Sequence, residues 1–207
     1  MTEGKQGLFL VVSGPSGSGK GTVNQMLLED PEYTFSVSVT TRSPRPGEEN
    51  GKNYRYISRE EFDRFVANGE LLEHAEYCGN GYGTPKKEAE EAVAAGKILL
   101  LEIEVAGAME IKRQHPEAIL VMLLPPSFAE QEKRLRGRTT ETEAQINARV
   151  ARAKEELRYL DRYDYVVYNR QDHAAECADD IRAIVRAERC SMRRHPEAGE
   201  VFFRTTD

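Results

Sequence analysis

Nine residues near the amino terminus, Gly14-Pro15-Ser16-Gly17-Ser18-Gly19-Lys20-Gly21-Thr22, constrain this chain more than any other stretch. They follow the apolar run 8–12 and precede a segment whose pattern predicts a helix over 20–29. Strand, glycine-rich turn and helix in that order build a phosphate cradle. The glycines let successive backbone N–H groups face one anion, and the helix start adds the positive end of its dipole. Lys20 then stands where an ammonium reaches the outer phosphates.

The spacing G-x-x-x-x-G-K is that of the P-loop, with one departure. Gly21 occupies the place where the pattern has Ser or Thr, and Thr22 comes one position later. The hydroxyl that helps hold Mg²⁺ in that pattern is therefore assigned to Thr22, with Mg²⁺ expected to arrive with the nucleotide.

Composition narrows the class. At 207 residues the chain can bury one core and carry insertions. A net charge of −6 and a pI near 5.4 argue against a nucleic-acid surface, which would carry a basic excess. Cys78, Cys177 and Cys190 are scattered, without C-x-x-C spacing, so neither a zinc site nor a disulfide framework is expected, and a reducing cytoplasmic location is. No apolar signal core opens the chain and no later run reaches membrane-spanning length, so no membrane association is expected. Nothing in the sequence assigns an oligomeric state.

Beyond the first helix, alternation predicts a strand over 35–39, then a loop stiffened by Pro44 and Pro46 that carries Arg42 and Arg45. Two arginines three apart on such a loop can clamp a phosphate, although a solvated turn has the same composition. A strand over 54–57 leads to a capping box, Ser58 to Glu61, and a helix to Ala67. After a strand over 71–77, the run 79–84 is glycine-rich enough to read as a tight turn, with Thr84-Pro85 as N-cap and first residue of a helix to Ala95. A buried strand over 98–103 ends in Glu102 and Glu104, at the end of a parallel sheet where ligands lie. A helix over 106–115 and a strand over 118–124 complete another β-α-β unit. A second capping box, Ser127 to Glu130, opens a helix to Gly137 that carries Arg134. Arg138 follows, then a turn over 139–142 and a long helix over 143–160 bearing Arg149 and Arg152. A strand over 165–168, Asn169 and a helix over 172–187 close the pattern; the tail from Arg189 shows no periodicity and reads as poorly ordered. The fold class expected is α/β, a P-loop parallel-sheet core with an inserted mixed α/β lobe and a helical lid.

The P-loop, the block Ser-Val-Thr-Thr-Arg42-Ser-Pro-Arg45-Pro-Gly-Glu, then Gly51-Lys-Asn-Tyr54, Leu72-Glu73-His-Ala and Gly-Tyr82-Gly-Thr84 together resemble the guanylate kinases, which pass the γ-phosphoryl group of ATP to GMP. The likeness runs from about Leu8 to Ala187. It implies a core of residues 1–35, 85–126 and 157–188, a GMP-binding lobe over 36–84, a lid over 127–156 and a tail over 189–207 outside the likeness. It also implies that Arg42, Arg45, Tyr54 and Tyr82 hold the GMP phosphate and that Ser38, Glu73 and Thr84 read guanine. Lys20, Arg138 and Arg149, with Arg42, would neutralise the transferring group, while residues 14–22, Arg134 and Asn169 would bind ATP. Glu102 and Glu104, where the family often has Asp, would face guanosine or water around Mg²⁺. Activity on dGMP is implied too. Two rival readings stay open on the sequence: a P-loop kinase for another phosphorylated small molecule, and a guanylate-kinase-like binding domain without catalysis.

Overall fold

The computed structural model describes residues 6–77, 79–137 and 143–204. Two sheets organise it. The chain enters on β1 (Leu8–Ser13), turns through the glycine-rich loop into α1 (Lys20–Leu27), and returns on β2 (Tyr33–Phe35). It crosses to a second sheet through β3 (Val39–Thr40), β4 (Arg55–Tyr56), α2 (Arg59–Ala67), β5 (Leu71–Tyr77) and β6 (Asn80–Pro85). It then rejoins the first through α3 (Lys86–Ala94), β7 (Ile98–Leu101), α4 (Val105–Gln114) and β8 (Ile119–Leu124). Helices α5 (Phe128–Arg136) and α6 (Glu143–Glu156) precede β9 (Tyr165–Tyr168), α7 (Ala174–Arg189) and α8 (Ala198–Arg204).

The first sheet has the order β2-β7-β1-β8-β9, and all four pairings are parallel. Alternation along its strands sorts the core. Leu8, Leu10 and Val12 pack with Val23 and Leu27 of α1 and Ile181 and Val185 of α7, while Phe9 and Val11 pack with Ala108 and Ile111 of α4. Both faces are covered, which is why β1 is apolar from Leu8 to Val12 rather than alternating with polar residues. Each fully buried aliphatic side chain contributes about 1.5–3 kcal/mol, so the strand that carries the phosphate loop is firmly held, as is its fully buried neighbour β8. The second sheet, β4-β3-β6-β5, is mixed and rests on a smaller core of Val39, Phe62 and Leu71.

Several sequence expectations change here. The strand expected over 35–39 is two strands in different sheets: Ser36 N–H still donates to Leu100 of the parallel sheet, whereas the Ser38 carbonyl already accepts from Arg55. The turn expected over 79–84 is mostly β6, and its glycines serve close packing. A Cβ on Gly81 would press on the Phe62 ring and one on Gly83 on Leu71. Thr84 does not cap α3; Pro85 takes that place, the Lys86 N–H donates to Glu70, and the threonine hydroxyl turns to Glu73. The strand expected over 98–103 stops at Leu101, and Glu104 becomes the residue before α4. The helix expected to reach 160 stops at Glu156 and tightens into a 3-10 turn, Leu157–Arg162. The turn expected over 139–142 lies outside the described residues. The serine half of both expected capping boxes forms, with the Ser58 hydroxyl accepting from the Glu61 N–H and the Ser127 hydroxyl from the Glu130 N–H, while the Glu130 carboxylate turns to Arg134.

The tail is ordered over its described part. Arg189 pairs with Glu32 at 2.7 Å, Arg194 reaches the Glu117 carbonyl and buried Glu188, and α8 follows. Among the described residues no helix is long and apolar enough to cross a membrane.

Candidate active site

The carboxyl ends of β1 and β7 lie side by side, because these strands pair in register from Leu8–Ile98 to Val11–Leu101. The two loops that leave them are tied by a hydrogen bond from the Ser13 hydroxyl to the Ile103 carbonyl, 2.8 Å. In an open parallel sheet this is where a ligand finds converging strand ends and helix starts.

The loop after β1 has the cradle geometry. Gly17 and Gly19 adopt φ of 87° and 91°, the left-handed region open to glycine, and Gly19 leads directly into α1. A Cβ on Gly14 would strike the Leu123 carbonyl, and one on Gly19 the Asn169 amide. The Lys20 ammonium donates to the Gly14 carbonyl at 2.5 Å, folding back over the loop, and Pro15 is buried beneath it. The buried Ser18 hydroxyl has no partner among the described residues. Such an orphaned donor inside a loop of inward-facing amides suits a bound phosphate oxygen. Gly21 and Thr22 are exposed on the first turn of α1.

Three side chains from distant parts of the chain bond this loop, and a fourth, that of Arg134, bonds one of the three residues through its backbone. Asn169, just beyond β9, donates to the Ser18 carbonyl at 2.8 Å and accepts through its own carbonyl from Arg134 of α5 at 3.0 Å. Gln131, one turn before Arg134, donates to the Ser16 carbonyl at 3.1 Å. Arg149 of α6 donates to the Ser16 hydroxyl at 2.6 Å. The expected donor-side residues Lys20, Arg134, Arg149 and Asn169 are therefore brought together. Arg138 lies outside the described residues.

The second sheet carries another cluster. Arg42, on the loop after β3, lies 5.5 Å from the Tyr54 ring, and Tyr54 stands edge-on to Tyr82 at 5.9 Å. Glu48 organises this group: its carboxylate takes Arg42 at 3.0 Å, the Arg45 N–H at 2.8 Å and the Tyr56 hydroxyl at 2.7 Å. The Arg42 bond foremost, then the other two, hold its carboxyl down to about 2. Arg45 itself is exposed and enters through its backbone. Burial raises the Tyr54 phenol, with smaller contributions from Tyr82 and Glu102.

Deeper in the same sheet, Glu73 of β5 is buried and accepts from the Thr84 hydroxyl of β6 at 2.7 Å, across an antiparallel pair. Burial pushes its carboxyl up to about 7 against the lowering effect of Thr84. Helix α4 leaves room for it, since a Cβ on Gly107 would lie 2.6 Å from Glu73 Oε2. Ser38 sits half-buried on the crossing between the sheets. Of the two acids after β7, Glu102 accepts from Asn24 of α1 at 2.7 Å, and Glu104 meets Arg152 at 3.0 Å.

The sequence reading did not anticipate Asn24, Glu48, Tyr56, Gly107, Gln131 or the partner of Arg152. One signal was available for Asn24, which lies four residues after Lys20 and so on its face of the helix. The others depend on pairings between sheets and helices far apart in the chain.

A parallel α/β sheet with a lysine-bearing phosphate loop after its central strand defines the P-loop class of nucleotide-binding proteins. Within that class the comparisons give the family. A family model described as guanylate kinase matches residues 6–188. The guanylate kinase of Desulfitobacterium hafniense is 45% identical over 195 residues, 94% of this chain and 96% of that protein. That of Bacillus subtilis is 47% identical over 192 residues, 92% of this chain and 93% of the relative. The crystal structure of guanylate kinase from Anaplasma phagocytophilum superposes with a TM-score of 0.76 at 38% identity, covering 92% of this chain and 90% of its own. This chain belongs to the guanylate kinase family.

Proposed function

We infer that the protein transfers the γ-phosphoryl group of ATP to GMP, and to dGMP, yielding ADP and GDP or dGDP. The observation that carries the choice of acceptor is the buried pair of Glu73 and Thr84, placed in the same small sheet as the Arg42, Tyr54 and Tyr82 cluster. Guanine offers N1–H and N2–H₂ side by side, which a carboxylate accepts in two bonds, while the Ser38 hydroxyl, and that of Thr84 once its one proton turns from Glu73, donate to O6 or N7. Arg42, Arg45, Tyr54 and Tyr82 would hold the acceptor phosphate, with the Glu48 carboxylate keeping the loop of Arg42 and Arg45 in shape.

Residues 14–22, Arg134 and Asn169 would take ATP, and Lys20, Arg138 and Arg149 would spread the charge of the transferring group. Residues 36–84 then form the GMP lobe and 127–156 the lid, on a core of the remaining segments before the tail at 189. Phosphoryl transfer needs alignment and cations more than covalent chemistry, and the acceptor phosphate oxygen is already a nucleophile. No catalytic base is required. Bringing α6 over the phosphates keeps water from competing with the acceptor.

Oxygen groups that suit Mg²⁺ stand near the loop: the exposed Thr22 hydroxyl in the first turn of α1, and the Glu102 carboxylate, which Asn24 holds two residues further along the helix. Thr22 and Glu102 would hold the ion, directly or through water, and the ion would neutralise β- and γ-phosphate charge. The free thiols of Cys177 and Cys190 support the cytoplasmic location.

ADP formation measured with and without GMP tests the proposal. Steady ATP consumption that depends on GMP is expected; GMP binding without turnover would favour the non-catalytic binding domain.

A further inference from the structure

We propose that Arg152 is a positioning residue that couples the lid helix to the acceptor side of the site through Glu104. Arg149 and Arg152 are three residues apart on α6 and so lie on neighbouring positions of one helix face. Their targets differ. Arg149 donates to Ser16 in the phosphate loop, whereas Arg152 donates through Nη2 to Glu104 at 3.0 Å and through Nε to Glu156 at 3.2 Å. The planar fork of a guanidinium thus spans one carboxylate from the core and one from its own helix, a geometry that a lysine cannot reproduce.

The place of Glu104 gives the contact its meaning. It stands between β7 and α4, two residues from Glu102, at the sheet end where the two substrate sides meet. Below it the base of α6 is seated firmly: Ala153 is buried, and Leu157 packs against Val105, Met122 and Leu124. Glu156 shares the Arg152 guanidinium with Glu104, and its carboxyl is pushed up to about 7, by burial first and by the Glu104 charge second. Tyr163 faces the same two acids. Arg152, itself still exposed, therefore bridges the exposed Glu104 and the more buried Glu156. Helix α6 is tied to the donor loop by one arginine and to the acceptor-side acid by the next. An acceptor that fixes the Glu104 carboxylate fixes Arg152, and with it the set of α6 that carries Arg149 to the phosphate loop.

The inference rests on the assignment of Glu104 to the acceptor side. It predicts that GMP tightens the binding of a non-hydrolysable ATP analogue, by a factor in the usual range of about 5 to 150 for coupled sites. Calorimetry of the analogue with and without saturating GMP reads that factor in the parent, Arg152→Gln, Glu104→Gln and the double variant. Arg152→Gln should bring the factor to within about twofold of unity, consistent with loss of the coupling free energy, while each ligand alone binds within about threefold of the parent. Its kcat should fall with both KM values nearly unchanged, Arg152→Lys should restore part of the coupling, and the double variant should be no worse than the worse single. A parent-like factor in Arg152→Gln, additive losses in the double variant, or a loss matched by a lower Tm and weaker binding of each ligand alone would overturn the proposal. If GMP did not bind the parent at all, the functional reading would fail with it; normal coupling in both parent and variant would sink only the role of Arg152.

Discussion

Burial leaves the Glu73 carboxyl protonated up to about pH 7 in the absence of substrate, and guanine, a double donor, demands the carboxylate. The sign of the pH dependence follows. A folded value raised above the unfolded one contributes stability that is full below the unfolded value and lost as pH rises through about 7. Binding of the base should run the other way, tightening as pH rises from 5 to 7 and releasing a proton below 7. The phosphate of GMP itself titrates near about 6, so guanosine is the cleaner ligand. Calorimetry of guanosine at pH 6 in two buffers of different ionisation enthalpy should show proton release that vanishes in Glu73→Gln; binding indifferent to pH would contradict it. In that variant kcat/KM for GMP should fall by about 2 to 4 kcal/mol with ATP affinity nearly unchanged. Lys20 makes the complementary case on the donor side. Lys20→Met should lower kcat at least about a hundredfold, as loss of one preorganised charge does, with little change in Tm. An active, stable variant would remove Lys20 from the chemistry.

Elements show which parts of this arrangement a sequence can carry. The phosphate loop was legible because glycine, lysine and the flanking apolar run act locally, and the two serine N-caps formed because a cap is a contact between residues three apart. Residues 33–40 were not legible as two strands. Their alternation runs on, while their ladder partners change from Leu100 to Gly83 and Tyr82, chosen by segments more than forty residues away. Likewise Gly81 and Gly83 look like turn residues, yet they lie in a strand because Phe62 and Leu71 occupy the space where side chains would be. Gly107 belongs to the same kind of fact, a helix glycine required by a carboxylate that reaches it from the second sheet. Gly107→Ala would place a methyl group 2.6 Å from Glu73 Oε2, and the buried acid can yield only by straining its bond to Thr84. KM for GMP should rise about tenfold, the scale of losing roughly one neutral hydrogen bond, with KM for ATP unaffected. Steady-state kinetics that find both constants unchanged would show that the acid has room to move.

The whole molecule sets a phosphate loop on a firmly buried parallel sheet and an acceptor cluster on a smaller mixed sheet, with β2 to β3 and β6 to α3 as the crossings between them. Arg149 and Asn169 meet the phosphate loop at Ser16 and Ser18, while Arg42 and Tyr82 group about Tyr54 and Thr84 pairs with Glu73 on the smaller sheet. The central claim is that these two groups serve one transfer, to a guanine nucleotide. Adenine presents a lone pair at N1, which would face the Glu73 carboxylate without a donor, so the wrong purine should be rejected by up to about 10⁴. The most direct measurement is kcat/KM for ADP formation with GMP, AMP, CMP and UMP offered separately as acceptors. The account predicts rapid turnover with GMP and values lower by at least about a thousandfold for the other three, in keeping with a site whose buried polar groups go unpaired. Comparable turnover with AMP or a pyrimidine monophosphate, or none with GMP, would contradict it.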